Sequence, residues 1–480
     1  WHLIAAMMPD WWRQYSLAAI FVLLTSTSSV ALSPEPAIRF ARSSEVDGRL
    51  AVGLNRQRAD RDGNYGRNSQ RRQLTDANVY EAEGGLYPGY GTHFAYVYVG
   101  TPPQRVSVIV DTGSHYTAFP CKGCSGCGSH TDPYFDLSQS STGHELECGE
   151  CQSTGCSQSH NKCEFSQSYS EGSSWHAYQV IDKFYTGVEV LDETPAANAE
   201  LTIDFLFGCQ SSETGLFRTQ LADGIMGMAM NKFSLVDALH KAGAVTHNNF
   251  ALCFNEDGGV LSLGGADARL HAAPMAFVPL AKNSGWYTVE LQEIRVGGAK
   301  LEVGATHYNG GKGTIVDSGT TDTYLNSHVA SEFREKWHAA AGMAYSNSKK
   351  TLTAAQVAAL PDVTYVFANG VEVVVRPTSY MEHEGNDHYT ARIYLDEPSG
   401  QVLGANFMNR HDVFFDEEGQ RVGFAESACG MGVIGTGGGA AVEDRDCEVS
   451  EEFVLQQACD AVCAPGQAGV EAEGVEVWGR

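Results

Sequence analysis

At 480 residues, with 43% apolar side chains, the chain is long enough for two globular domains with real cores plus appendages. A net charge of −26 argues against a nucleic-acid-binding role, because phosphate contact needs a basic surface. The 52 glycines and frequent strand-type apolar runs favour a β-rich fold, and the acidic balance suits a protein that tolerates acid.

Arg13 precedes an apolar stretch from Leu17 to Leu24 and then small residues through Ser29-Val30-Ala31. This pattern predicts a signal peptide over residues 1–31, cleaved near Ala31; the stretch is short for a membrane span, and a signal anchor is the alternative. Entry into the secretory pathway makes disulfides the default state of the 13 cysteines. Residues 32–85 are basic within an acidic protein, with Arg39, Arg42, Arg49, Arg56, Arg58, Arg61, Arg67, Arg71 and Arg72, and their apolar periodicity is poor. They read as a removable prosegment whose arginines neutralise an acidic cleft, with Arg71-Arg72 as a processing point; a disordered linker is the competing reading.

From Gly91 the sequence becomes strand-like. His93–Val99 alternates, Gly100-Thr101-Pro102-Pro103 turns, and Arg105–Val110 runs into Asp111, which predicts a hairpin. Val108-Ile109-Val110 is a buried-strand pattern ending in a carboxylate that is costly to bury unless a site uses it. The same grammar returns at Thr314-Ile315-Val316-Asp317-Ser318-Gly319-Thr320, 317 − 111 = 206 residues later. A single Asp-Thr-Gly is an ordinary turn; two copies, each behind an apolar strand and about one domain length apart, are not chance.

After Phe119-Pro120 comes a cysteine cluster: Cys121, Cys124, Cys127, Cys148, Cys151, Cys156 and Cys163. The Cys-x2-Cys-x2-Cys spacing invites a zinc or iron–sulfur reading. The oxidising compartment and the lack of a four-ligand set at finger spacing favour disulfide staples instead, so neither metal nor cofactor is expected. Cys209 would make an eighth cysteine and allow four bridges, with Cys253 pairing elsewhere; the connectivity is not readable from sequence. Gln167–Ser174 reads as a hairpin tip and Phe205–Cys209 as a strand. Phe233, Val236 and Leu239 predict one face of a short helix ended by Gly243, and Leu252–Leu263 a hairpin turning at Asp257-Gly258-Gly259.

The second half repeats the plan. Trp286–Leu291 and Ile294–Val296 read as strands. A helix is expected after Thr321, capped by Ser327, with Val329, Phe333, Trp337 and Ala340 on one face. Asn369-Gly370 marks a hairpin inside Val363–Val375. Val402-Leu403-Gly404 repeats the apolar-apolar-Gly pattern of Ile225-Met226-Gly227, and Val413–Asp416 with Arg421–Ala425 forms a closing hairpin. After Cys429 the composition turns to glycine and then to acidic residues, with no apolar stretch of membrane length visible in 430–480, although an anchor lying beyond the residues in hand stays open.

If the two Asp-hydroxyl-Gly turns meet, Asp111 and Asp317 share a proton, because two adjacent carboxylates cannot both ionise freely; pepsin is the usual example. The ionised member can take a proton from a water and the protonated member can donate to a carbonyl, which is hydrolysis without a covalent intermediate. Gly113 and Gly319 let backbone N–H groups approach. Thr112 and Ser318 can hydrogen-bond across the interface, and Ser114 and Thr320 can reach the outer carboxylate oxygens. No Gly-x-Ser-x-Gly elbow competes with this reading. No Asn-x-Ser/Thr acceptor occurs.

Ile109-Val110-Asp111-Thr112-Gly113-Ser114 and Val316-Asp317-Ser318-Gly319-Thr320-Thr321 resemble the two active-site motifs of pepsin-like aspartic proteases. Gly100–Gln104 is similar to the segment before the first motif, and Ile225-Met226-Gly227 and Val402-Leu403-Gly404 to the elements that complete each ψ-shaped loop. The resemblance runs from about Tyr90 to Ala425. It implies an all-β bilobal fold with a few short helices, a cleft for protein or peptide substrates, and Tyr169 as the flap tyrosine, with Glu171 and Gly172 beside it at the tip. The expected division is an N-terminal lobe over 86–265 with its insert at 121–163, and a C-terminal lobe over 266–429, in a monomer.

The cysteine-rich insert resembles that of nepenthesin-type enzymes. Cys121–Gly128 and Gln167–Ser173 are closer to plasmepsin V-type processing proteases of the secretory pathway, with Ser170 where those have a cysteine. By position Glu171 meets a basic substrate side chain; a solvated turn carboxylate is the bland reading. A non-catalytic member of the fold, a cysteine-based metal protein and a retroviral-type dimer are the alternatives considered. Both motifs lie in one chain with both aspartates and the flap tyrosine present, which argues against the first and the last.

Overall fold

The computed structural model describes residues 45–46, 49–50, 82–89, 91–153, 155–185, 201–256, 258–281 and 284–429. The predicted signal peptide, most of the prosegment and the glycine-rich tail lie outside these residues. The rest is mostly strand with a few short helices, as expected.

Each half builds the same local device. In the first, strand His93–Val99 pairs antiparallel with Gln104–Asp111. Val106, Val108 and Val110 are buried, and Val108 and Val110 have no solvent exposure. The short strand Gly224–Gly227 runs parallel to this one and sets Gly227 opposite Asp111. In the second half, Thr314–Val316 runs parallel to Gln401–Leu403 and sets Val316 opposite Leu403. Parallel neighbours cannot be joined by a tight turn, so each glycine-ended strand reaches its partner only after a long excursion. The first excursion contains the insert and the hairpin formed by Lys162–Ser168 and Ser174–Tyr185. The second contains helix Ala330–Ala341 and the hairpin Val363–Phe367 with Glu372–Val375.

The halves are fused through one sheet. Asn249–Asn255 pairs with His411–Asp416, placing Phe250 opposite Phe415. Gly258–Leu263 and Ala82–Pro88 extend the sheet on one side; Arg421–Glu426 and Ala276–Pro279 extend it on the other. Phe250 and Phe415 stack with centroids 4.9 Å apart, and Tyr287 packs on Phe415 at 4.7 Å. All three are essentially inaccessible to water. Burying each such ring contributes on the order of 2 kcal/mol, so this seam is a true core and not a hinge between loosely docked halves.

Disulfides staple the first half and the seam. Cys121 pairs with Cys209, Cys124 with Cys127, Cys148 with Cys156, and Cys151 with Cys163. Cys253 pairs with Cys429 across the fused sheet. The eight cysteines from Cys121 to Cys209 thus form four bridges and Cys253 pairs elsewhere, which leaves no thiolate among the described cysteines for a metal.

Local expectations needed correcting. Helix Leu235–Lys241 starts after Phe233 and is capped by Ser234, so Phe233 precedes it and instead packs on Tyr116, at 5.2 Å. In the Leu252–Leu263 hairpin Gly258 and Gly259 are not turn residues: they already pair with Asn255 and Phe254 as part of the returning strand. Ser327 caps nothing: Asn326 accepts the His328 N–H and starts a 3-10 turn that runs into helix Ala330–Ala341. Ala340 is exposed on that helix, whereas Phe333 and Trp337 are buried, because the apolar stripe is only two turns deep. Asn369 and Gly370 both take positive φ, as the turn between Val363–Phe367 and Glu372–Val375 requires.

Candidate active site

The two strand ends deliver their carboxylates to one place. The closeness is measured by the glycines. A Cβ on Gly319 would lie 2.1 Å from Asp111 Oδ1, and a Cβ on Gly113 would lie 2.5 Å from Asp317 Oδ1. Each glycine therefore abuts the other half's carboxylate, and only a residue without a side chain fits either position.

The turns beneath are locked reciprocally. The Thr112 N–H donates to Ser318 Oγ at 3.0 Å, and the Ser318 N–H donates to Thr112 Oγ1 at 2.9 Å. The two hydroxyls then donate onward, Thr112 to the Val316 carbonyl at 3.0 Å and Ser318 to the Val110 carbonyl at 2.7 Å. Both residues are fully buried. Four neutral hydrogen bonds in a dry environment satisfy the N–H and hydroxyl groups of both residues and fix the relative orientation of the two turns.

Asp111 Oδ1 accepts the Gly113 N–H at 2.7 Å. Asp317 Oδ1 accepts the Gly319 N–H at 3.0 Å, and its Oδ2 accepts the Thr320 hydroxyl at 2.7 Å. Ser114 sits within reach of Asp111: its buried hydroxyl lies beside the Asp111 carboxyl and the Tyr169 phenol and opposes the upward push of burial on both. Burial, reinforced by the charge of neighbouring Asp317, pushes Asp111 well above the usual carboxylate range. Asp111 therefore retains a proton that a solvated carboxyl would lose.

Tyr169 stands at the tip of the hairpin made by Lys162–Ser168 and Ser174–Tyr185. The turn is closed by the Tyr169 N–H donating to Ser173 O at 2.9 Å and the Gly172 N–H donating to Tyr169 O at 3.0 Å. Gly172 adopts φ +96°, a conformation that a side chain disfavours. Burial and the nearby Asp111 carboxyl push the Tyr169 phenol well above its ordinary range, so it remains a neutral donor. Glu171 is exposed and makes no ion pair among the described residues.

Three further contributors were not legible in advance. Trp175 donates its indole N–H to the Tyr169 oxygen at 3.2 Å, and Phe217 packs against the Tyr169 ring at 5.1 Å. Trp286, from the second half, donates its indole N–H to the Gly113 carbonyl at 2.8 Å and meets His115 edge-on at 5.4 Å. Trp175 lies six residues beyond Tyr169 on the returning strand, so the hairpin register was a usable signal. Phe217 and Trp286 gave none, because their roles depend on contacts across 48 and 173 residues.

The arrangement can hold one proton between two acids, donate it to a carbonyl, and cover the reaction with an aromatic flap. Comparison with known proteins points the same way. A family model described as eukaryotic aspartyl protease matches residues 92–427. Aspartic protease 5 of Toxoplasma gondii is 30% identical over 400 residues, covering 71% of this chain and 37% of its own length. Plasmepsin V of Plasmodium falciparum is 35% identical over 183 residues, covering 37% of this chain and 29% of its own. Aspartyl protease AED1 of Arabidopsis thaliana is 26% identical over 374 residues, covering 72% and 74%. The chain thus spans about a third of the length of the first two relatives.

Proposed function

The chain belongs to the eukaryotic aspartyl protease family, and from that premise we propose that it is an aspartic endopeptidase in which Asp111 and Asp317 are the catalytic pair. One observation carries the reading: the reciprocal contact of Gly319 with Asp111 and of Gly113 with Asp317, which brings two acids from opposite halves into one site. The ionised member takes a proton from the attacking water while the protonated member donates to the scissile carbonyl, and no covalent intermediate forms. Thr112, Gly113, Ser318, Gly319 and Thr320 hold the pair in place. Tyr169 and Gly172 form the flap over the bound peptide, and Glu171 reaches a basic substrate side chain.

We further propose a secretory zymogen that works as a selective processing protease. Residues 1–31 act as the signal peptide, 32–85 as the basic prosegment, 86–265 and 266–429 as the two lobes of a monomer, and 430–480 as an acidic tail. The five disulfides among the described residues fit an oxidising compartment. No described helix is long and apolar enough to cross a membrane.

The test is peptide cleavage by purified enzyme on a random library between pH 4 and 7. Asp111→Asn and Asp317→Asn are each expected to abolish turnover while leaving the fold intact, and a statine inhibitor to block it. Undiminished cleavage by either variant overturns the proposal. A strict requirement for a basic residue near the cut supports selective processing; cleavage without preference removes that part.

A further inference from the structure

The segment that follows the Cys124–Cys127 turn is bound to the segment that backs the flap, and the contacts form one set. A Cβ on Gly128 would lie 2.0 Å from the Arg218 carbonyl oxygen, so this backbone is pressed directly against that of the Gly215–Arg218 turn. His130 Nδ1 lies 3.1 Å from the Gln220 carbonyl oxygen. The Thr131 hydroxyl donates to the Leu221 carbonyl at 2.8 Å, and the Asp132 N–H donates to Asp223 Oδ1 at 2.8 Å. His130 Nε2 is 3.6 Å from Glu213 Oε2, and both side chains are fully buried.

The segment so held, from Glu213 to Asp223, is the one that supports the flap. Phe217 backs the Tyr169 ring. The Leu216 N–H donates to Ser173 Oγ at 2.8 Å, directly at the flap turn. Gly215, at φ +61°, leaves no room for a side chain against Ser173.

Glu213 makes this arrangement consequential. Neither of its carboxylate oxygens has a hydrogen-bond partner among the described residues, and its one ion-pair partner among them is His130. A buried carboxylate without a partner is strongly unfavourable. Dry packing needs neither group, so the pair has to be explained by what it joins.

We propose that His130 is a positioning residue for the flap: paired with Glu213, it clamps the Gly215–Arg218 turn so that Phe217 holds Tyr169 over the carboxyl pair. The proposal rests on the reading of Tyr169 as the flap tyrosine and goes beyond it by assigning the cysteine-rich insert a part in substrate capture. His130 faces Glu213 and Asp223; nearby are Tyr134, whose hydroxyl bonds the Gly128 carbonyl, and Asp132, paired with Arg105 at 2.9 Å and pushed up to about 6 by burial and by Asp223. Glu213 holds the His130 imidazole above its ordinary range against the opposing effect of burial. The clamp is therefore closed at acidic pH and opens as pH rises through that raised value, where His130 loses its proton and Glu213 its counter-charge.

The experiment compares wild type with His130→Gln, Glu213→Gln and the double variant. KM, kcat and backbone amide exchange at residues 169–173 are measured from pH 5 to 8. In wild type, the protection of the flap amides relative to the intrinsic exchange rate at each pH is expected to fall, and KM to rise, as pH passes above the raised His130 value. The single variants are expected to show raised KM at pH 5.5, by roughly tenfold, with kcat little changed and the pH dependence of the flap lost. If a single variant fails to fold, the double variant, which buries no charge, keeps the test alive: it is expected to melt near wild type and still show the loosened, pH-independent flap. Folded variants with wild-type KM and wild-type flap exchange overturn the proposal. Should wild type cleave nothing, the protease reading fails by itself, and amide exchange alone still decides the clamp.

Discussion

Gly319 sits against Asp111 so closely that a single methyl group would be 2.1 Å from the carboxylate oxygen. The contact crosses from one half of the molecule to the other, and Gly113 returns it against Asp317. Gly319→Ala is therefore expected to push the two strand ends apart by the better part of an ångström. A displacement of that size at reacting groups costs roughly 100-fold in rate. Steady-state turnover beside a melting curve checks this: the loss of kcat should far exceed any loss of stability.

Ser318→Ala removes one acceptor and one donor at once. It leaves the Thr112 N–H and the Val110 carbonyl buried and unpaired. Each orphaned group costs about 1–3 kcal/mol, so denaturant unfolding should show a loss of roughly 2–4 kcal/mol. Replacing Ser318 by Thr keeps the hydroxyl and should recover much of it, provided that the extra methyl is accommodated.

Trp175→Phe keeps the ring's bulk and deletes only the N–H that holds the Tyr169 oxygen. A hydrogen bond of this kind is worth about 0.5–1.5 kcal/mol. We expect kcat/KM to fall by roughly two- to tenfold, with an unchanged melting temperature. A variant that equals wild type on every peptide would show that the indole does not orient the flap.

Asp322 is buried, and burial pushes its carboxyl up to about 6 although Arg392 opposes the shift. The folded state therefore holds this proton more tightly than the unfolded chain, so the group costs stability increasingly as pH rises from about 4 to 6, and fully above that. Asp322→Asn removes the cost while Arg392 keeps Glu382 as a partner. The variant is expected to gain up to about 3 kcal/mol over wild type at pH 7.5 and almost nothing at pH 4. Unfolding titrations at the two pH values decide it.

The sequence alone determined the chemistry-bearing parts. Two copies of an apolar strand ending in Asp, a hydroxyl residue and Gly are legible because strand pattern and turn chemistry are local. The helix around Val236 and Leu239 and the Asn369-Gly370 turn were legible for the same reason, and the disulfide state of the insert from the spacing of its cysteines and the expected compartment. Tertiary structure decided whatever depends on approach across the chain: that Gly319 meets Asp111, that Phe250 and Phe415 fuse the halves, that Trp286 reaches Gly113, and that His130 finds Glu213. It also decided small matters such as the cap at Asn326 and the exposure of Ala340. Propensity and periodicity encode which face of a segment is apolar; which distant segment will cover that face depends on packing, and packing is a property of the whole folded chain.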